Sequence, residues 1–326
     1  MNEPIRLLVV MDPIDQIKYP KDTTLALLLA SQQRGYALHY AEMADLSLAD
    51  GVARARSRAL TVHADPQTWF ALGASVTSTM GEFDVVLMRK DPPFDVEYIY
   101  ATYILERAQS AGALVVNRPQ GLRDMNEKVY TAWFPQCCAP TLVTRDMQEM
   151  TGFASTHGTI VCKPLDGMGG RSIFVVAPGD KNARVVFETL TDYGQRFAIV
   201  QKYLPEISVS GDARVLLIDG EALPYALARI PTAHDHRGNL AAGAKGVGRP
   251  LNERDRWLSS QIGPAMREAG MLLVGLDVIG GFVTEINVTS PTGVRELQQQ
   301  FGVDAADLLV QAIDRRLKQG RSARTP

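Results

Sequence analysis

The run Ile5-Arg6-Leu7-Leu8-Val9-Val10-Met11 constrains the fold more than any other stretch of the chain. It is short and almost without polar positions. A strand of that kind is covered on both faces, as the strands of a parallel sheet are. A parallel partner needs a crossover, and the sequence supplies one. Asp22 or Thr23 can cap a helix whose apolar positions run from Leu25 to Leu29, Gly35 lies just past its end, and Ala37 to Ala41 reads as the next strand. Val85 to Arg89 repeats the buried-strand pattern, Pro92 and Pro93 break the chain, Val96 to Ala111 has helical periodicity up to Gly112, and Leu114 to Asn117 is a further strand. Residues 1–120 are therefore expected to form one α/β unit. Alternating residues from Gly51 to Val62, the pattern of a hairpin, interrupt it.

With 326 residues the chain is long enough for more than one domain and for a core that needs no staple. Apolar residues make up 46% and charged residues 21%, which excludes a strongly disordered chain. Lys and Arg number 34 against 36 Asp and Glu, so no basic excess argues for a nucleic-acid partner. The start of the chain lacks the basic segment and long apolar stretch of a signal peptide, and no run is apolar enough to span a membrane. Cysteine is limited to Cys137, Cys138 and Cys162, without a Cys-x-x-Cys. Small buried hydrophobes in a reducing, cytoplasmic setting are expected, rather than a disulfide framework or a thiolate zinc site.

The second half has a different texture. Thr159 to Lys163, Arg171 to Val176, Phe197 to Gln201, Ala213 to Ile218 and Tyr225 to Ile230 read as strands, with a turn at Asp219-Gly220 and a helix over Ala183 to Tyr193. An antiparallel sheet with a covering helix, an α+β pattern, is expected. A helix over Leu251 to Ala269, strands at Leu272 to Ile279 and Phe282 to Val288, two further helices and a frayed polar tail from Gly320 complete the chain.

Four features could carry chemistry. In Lys163-Pro164-Leu165-Asp166-Gly167-Met168-Gly169-Gly170-Arg171-Ser172 a lysine ends a strand and a glycine-rich loop follows. Glycines let backbone N–H groups converge on phosphate oxygens, and the lysine adds a point charge. The run is not a Walker A loop, and because a strand follows it is not a dinucleotide fingerprint. On the loop alone, a phosphate cradle and a flexible hairpin loop stand equal.

Glu285 and Asn287, two apart on a strand, face the same way, and Asp277 lies on the preceding strand. These are hard oxygen donors of the kind that hold Mg²⁺ on a nucleotide's phosphates. A plain two-residue turn at Gly280-Gly281 would pair Asp277 with Thr284 and put Glu285 on the opposite face. Sharing an ion requires a one-residue shift, from an odd loop or a bulge. The alternative is a polar, solvent-facing hairpin. The apolar flanks speak against it, since a buried acid pair is costly without a cation.

Gln201-Lys202-Tyr203-Leu204 ends a strand, where backbone groups could read an adenine edge or simply end the strand. Finally, Arg214 and Arg229 fall on neighbouring strands, and the long loop from Arg237 through Asn239 to Gly246 suits either a lid or a plain surface loop.

The order of these features, with Lys128 ahead of Lys163 and Asp277, Glu285 and Asn287 last, resembles the ATP-grasp superfamily of carboxylate–amine ligases. Within it the chain is similar to the bacterial glutathione synthetase family, from Ile5 to about Leu317. Val10 to Ile14, Met88 to Asp95, Tyr100 to Glu106, Lys163 to Gly170, Asn239 to Gly243 and Thr284 to Thr292 carry the resemblance. It implies an α/β N-terminal substrate domain over residues 1–122. An α+β ATP-grasp fold would follow, made of a central lid over 123–203 and a C-terminal subdomain over 204–318, with a flexible tail at 319–326 and ATP held between two sheets. The implied activity joins γ-glutamylcysteine and glycine at the expense of ATP, giving glutathione, ADP and phosphate through an acyl phosphate. The resemblance assigns Lys128, Lys163, Gly167, Met168, Gly169, Gly170, Ser172, Gln201, Tyr203 and Leu204 to ATP. It assigns Asp277, Glu285 and Asn287 to two Mg²⁺ ions, for which Mn²⁺ can substitute. Arg214, Arg229 and Arg237 would act on the transferring phosphoryl and shield the acyl phosphate, while Arg89, Asn239, Ser290, Thr292 and Arg295 would hold the substrate. A homotetramer is also implied. The competing readings are another ATP-grasp ligase of the D-alanine–D-alanine or glutamate type, a non-catalytic nucleotide-binding module, and a redox role for Cys137-Cys138.

Overall fold

A computed structural model of the protein describes residues 3–167, 170–230 and 245–322. Its strands form three sheets. The first is built from β1 (Arg6–Val10), β2 (Ala37–Ala41), β3 (Leu46–Ala49), β4 (Val52–Val62), β5 (Phe70–Thr79), β6 (Val85–Met88) and β7 (Leu114–Val116). β1 lies parallel to both β2 and β6, and β6 parallel to β7. The apolar run at the chain start is buried from Leu7 to Met11, as a central parallel strand has to be. The crossover helix α1 (Thr23–Gln33) is capped by Asp22, whose carboxylate accepts the Leu25 N–H at 2.6 Å. The second crossover, α2 (Val96–Ser110), uses Asp95 in the same way. The alternating stretch forms the long arm β4, hydrogen-bonded to β2, β3 and β5. β5 is missing from the sequence reading because its small and hydroxyl residues lack a clean alternation.

The second half holds two sheets where the strand pattern alone suggested one. The four-stranded sheet contains β8 (Thr141–Thr144), β9 (Ile160–Pro164), β10 (Phe174–Val176) and β11 (Ala198–Lys202), all antiparallel. Its strands are short, and the expected strand from Arg171 begins only at Phe174. The helices Met147–His157 and Ala183–Thr191 cover it over a small core centred on Met150, Ile160, Cys162, Phe187 and Val200. The five-stranded sheet has the order β14 (Lys245–Pro250), β13 (Glu221–Ile230), β12 (Asp212–Ile218), β15 (Leu273–Ile279) and β16 (Phe282–Asn287). This sheet shares its hydrophobic cores with the first: Leu8 and Val86 cluster with Val215 and Leu276, and Leu7 and Leu28 with Leu216 and Leu309. The last helix runs Ala305–Ser322, so the chain stays helical past Gly320, where fraying was expected to begin. The thiols behave as small hydrophobes. Cys137 and Cys162 are buried, and burial pushes Cys138 up to about 11 and Cys162 up to about 12. Among the described residues no helix is long and apolar enough to cross a membrane.

Candidate active site

A cleft of about 1390 Å³ runs between the four-stranded and five-stranded sheets and on to the end of the first sheet. That exceeds the roughly 300–1,000 Å³ of a site for one small ligand, so a nucleotide and a second substrate both fit. One wall is a single face of the five-stranded sheet. Arg214 on β12 sits directly opposite Asp277 on β15, and Asp277 opposite Glu285 on β16. The last pairing depends on a shift. Gly280 and Gly281 close a two-residue turn with φ of 56° and 79°, Ile279 pairs with Phe282 and Val278 with Val283, and Thr284 bulges so that Glu285 meets Asp277. The one-residue displacement required by shared ion binding is therefore present. Asn287 falls opposite Gly275, where a Cβ would come within 2.8 Å of the Arg214 side chain; only glycine leaves the guanidinium room to reach Asp277.

The charges on this face are buried and matched. Arg214 donates to both Asp277 oxygens, at 2.6 and 2.8 Å, in a bidentate pair. Arg229 reaches Asp212 at 2.5 Å and Asp277 at 2.9 Å. Burial pushes the Asp277 carboxyl up, but the two guanidiniums outweigh it and hold the group well below the usual carboxylate range. Asp212 goes the other way: burial, with Asp277 and Glu285 nearby, raises it to about 7 against the pull of Arg229. Asn287 also donates to Asp277, at 3.2 Å.

The opposite wall brings Lys163, whereas Lys128 comes from a segment beside β16, where the Ile286 N–H donates to the Glu127 carbonyl at 2.8 Å. Along β9, Cys162 points into the small core and Lys163 into the cleft. Lys163 Nζ lies 3.9 Å from Glu285 Oε1, and Lys128 Nζ 3.8 Å from the same atom. Lys128 also donates to the Glu127 carboxylate and, at 2.7 Å, to the Gly167 carbonyl. Burial and the nearby Glu285 raise Glu127 to about 7 despite Lys128. Gly167, Gly170 and Ser172 line the cleft; Met168 and Gly169 lie outside the described residues, as do Arg237 and Asn239. Gln201, Tyr203 and Leu204 also line it. The Lys202 and Tyr203 N–H groups, however, already donate to Pro140 and Thr159 carbonyls, and the Leu204 carbonyl accepts the Ile207 N–H at 3.2 Å.

At the far end, buried Arg89 donates to Thr24 and to the Pro291 carbonyl at 3.1 Å, next to Ser290 and Thr292. Arg295 does not join them: its guanidinium lies over the Tyr19 ring at 4.9 Å and is absent from the cleft lining. The sequence reading missed Glu127 and Asp212. Asp212 was accessible, since it stands two residues before Arg214 and so on the same strand face. Glu127 sits in an irregular segment and left no periodic signal.

For a divalent ion the donor set is oxygen-rich but thin. Among the described residues no group of three or more His, Cys, Asp or Glu side chains converges, and the Asp277 oxygens are engaged by arginines. Glu285 and Asn287 fit the way Mg²⁺ is held, by one or two protein oxygens with the remainder from phosphates and water.

The chain resembles solved structures of D-cycloserine synthetase DcsG (TM-score 0.68, 16% identity, covering 95% of this chain and 99% of that one) and of the D-alanyl-alanine synthetase A from Vibrio cholerae (TM-score 0.60, 14% identity, 98% and 99%). At such identities the likeness shows the fold. Much nearer in sequence are the glutathione synthetases of Pseudomonas putida, 55% identical over 96% of this chain and 99% of that protein, and of Salmonella typhimurium, 53% identical over 96% and 99%. Residues 5–123 match the prokaryotic glutathione synthetase N-terminal domain and residues 127–302 its ATP-grasp domain, so the chain belongs to the prokaryotic glutathione synthetase family.

Proposed function

We propose that the cleft joins γ-glutamylcysteine to glycine with the conversion of ATP to ADP and phosphate. The observation that carries this reading is the meeting of Lys128 and Lys163 with Glu285 in one cavity, in a chain 55% identical over nearly its whole length to a glutathione synthetase. A carboxylate is a poor electrophile, so the dipeptide's glycine-accepting carboxylate first attacks the γ-phosphorus of ATP and ADP leaves. Glycine's amine then attacks the acyl carbon, phosphate departs, and the amide forms.

Both steps move negative charge between oxygens, which makes positioning and electrostatic stabilisation the main task. Lys128 and Lys163 hold the phosphates, with Gly167 and Gly170 lining the cleft beside them. Arg214 and Arg229, fixed by Asp277 and Asp212, direct their remaining N–H groups at the transferring phosphoryl. Glu285 and Asn287, with Asp277 behind them, would hold Mg²⁺, which when bound neutralises phosphate charge. Mn²⁺ would substitute. Arg89, Ser290 and Thr292 orient the dipeptide, and the segment that begins at Arg237, whose expected end at Gly246 gives way to β14 from Lys245, shields the acyl phosphate from water. The substrate unit is residues 1–122, the lid 123–203 and the second half of the ATP site 204–318. A cytoplasmic homotetramer fits this assignment.

The test is coupled phosphate release. With ATP, Mg²⁺, γ-glutamylcysteine and glycine, the protein releases phosphate and forms glutathione in equal amounts. Release with D-alanine and none with the thiol dipeptide would reject the substrate assignment.

A further inference from the structure

The strand that carries Glu285 and Asn287 is held from outside its own sheet. Asn117, directly after β7 of the first sheet, is buried with 5% exposure. Its Nδ2 donates to the carbonyls of Leu273 at 2.8 Å and Val288 at 2.7 Å, and its Oδ1 accepts the Leu273 N–H at 3.1 Å. Leu273 opens β15, and Val288 follows Asn287 at the end of β16. One side chain therefore ties the β7 end of the first sheet to both strands that present Asp277, Glu285 and Asn287. A few residues on, the same sheet grips the chain again: Arg89 donates to the Pro291 carbonyl at 3.1 Å, and Ser290 donates to the Arg89 carbonyl at 3.3 Å. The segment leaving the proposed ion-binding strand is thus bracketed by the unit that carries Arg89.

We propose that Asn117 is a positioning residue that sets the distance between the dipeptide, held on the first sheet, and the phosphoryl donor, held on β16. This rests on the function proposed above. A hydrophobic contact would slide, whereas an amide engaged at both ends fixes a register. When the register is lost, ATP can still phosphorylate the dipeptide carboxylate, but the acyl phosphate is misplaced for glycine. Water then displaces phosphate from it, regenerating the free dipeptide, so ATP is hydrolysed with no amide formed.

The experiment compares Asn117→Asp with the wild type and with Leu122→Ala, a core truncation outside the cleft. Asn117→Asp keeps the acceptor for Leu273 N–H but turns a carboxylate oxygen on the two carbonyls. The expected result is a ligation kcat lower by about 10- to 100-fold, phosphate released in excess over glutathione, and a KM for ATP close to that of the wild type. Asn117→Ser, which removes Nδ2 without adding charge, is read in the same way if Asn117→Asp does not fold. Retained kcat with equal phosphate and glutathione overturns the proposal. So does equal uncoupling in Leu122→Ala at a matched loss of melting temperature, because the effect would then be general destabilisation. A wild type that makes no glutathione at all instead overturns the function on which the proposal rests.

Discussion

The two walls of the cleft are built on different physical terms. The five-stranded sheet shares its cores with the first sheet, and its cleft face is a lattice of buried, mutually hydrogen-bonded charges. The four-stranded sheet has a small core of its own and short strands, and it meets the other wall through the long Lys163–Glu285 contact and through the bonds of Lys128 and Asn126 to the Gly167 and Leu165 carbonyls. A fixed wall and a loosely tethered one suit a site that has to hold reacting oxygens still and yet admit and release a nucleotide.

If the fixed wall is a lattice, removing one charge has to unbalance it. Asp277→Leu leaves Arg214 and Arg229 buried without their shared partner and is expected to lower stability by roughly 3–5 kcal/mol, read by chemical denaturation. A loss below about 1 kcal/mol, the scale of an exposed pair, would mean that the pairs are not interdependent. Glu285→Gln keeps the shape and removes a charge at the point where the walls meet. Turnover should fall on the order of 10²–10³-fold with the melting temperature little changed. Undiminished turnover at low Mg²⁺ would take Glu285 out of the ion site.

The four-stranded wall should answer differently. A Cβ at Gly167 would lie 2.6 Å from Pro164 Cγ, so Gly167→Ala has to displace the loop. The expected outcome is a several-fold higher KM for ATP with global stability intact; a large fall in melting temperature would show the walls to be one cooperative unit. The smallest effect is in pH. Glu127 is raised to about 7 in the fold from an ordinary value of 4.5, so between those values the native state binds more protons than the unfolded chain. Its contribution is fully present below the ordinary value and lost as pH rises through about 7. Glu127→Gln removes that loss, so the variant's melting temperature relative to wild type should be higher at pH 8 than at pH 5. A difference independent of pH would contradict the shift.

The contrast also accounts for what could be read in advance. The parallel strands of the first sheet announce themselves through unbroken apolar runs, and the Asp277–Glu285 geometry follows from strand parity plus the requirement for a bulge. The split into two sheets was not legible in strand patterns, because an antiparallel strand looks alike in either sheet and only long-range pairing decides. The Asn117 staple escaped for the same reason, since it acts on Leu273 and Val288, far along the chain. Arg295 looked suited to a carboxylate by its position beside Ser290 and Thr292, but the helix Val294–Phe301 turns it towards Tyr19.

One triphosphate gripped from both walls at once, by Lys163 on one side and by Lys128 and the β16 strand on the other, is what the site is proposed to hold. A crystal structure with a non-hydrolysable ATP analogue and Mg²⁺ tests it most directly. Phosphate oxygens are expected within hydrogen-bond reach of Lys128 and Lys163, with an ion bound by Glu285 and Asn287. A polyphosphate lying elsewhere, or an ion remote from Glu285, would contradict it.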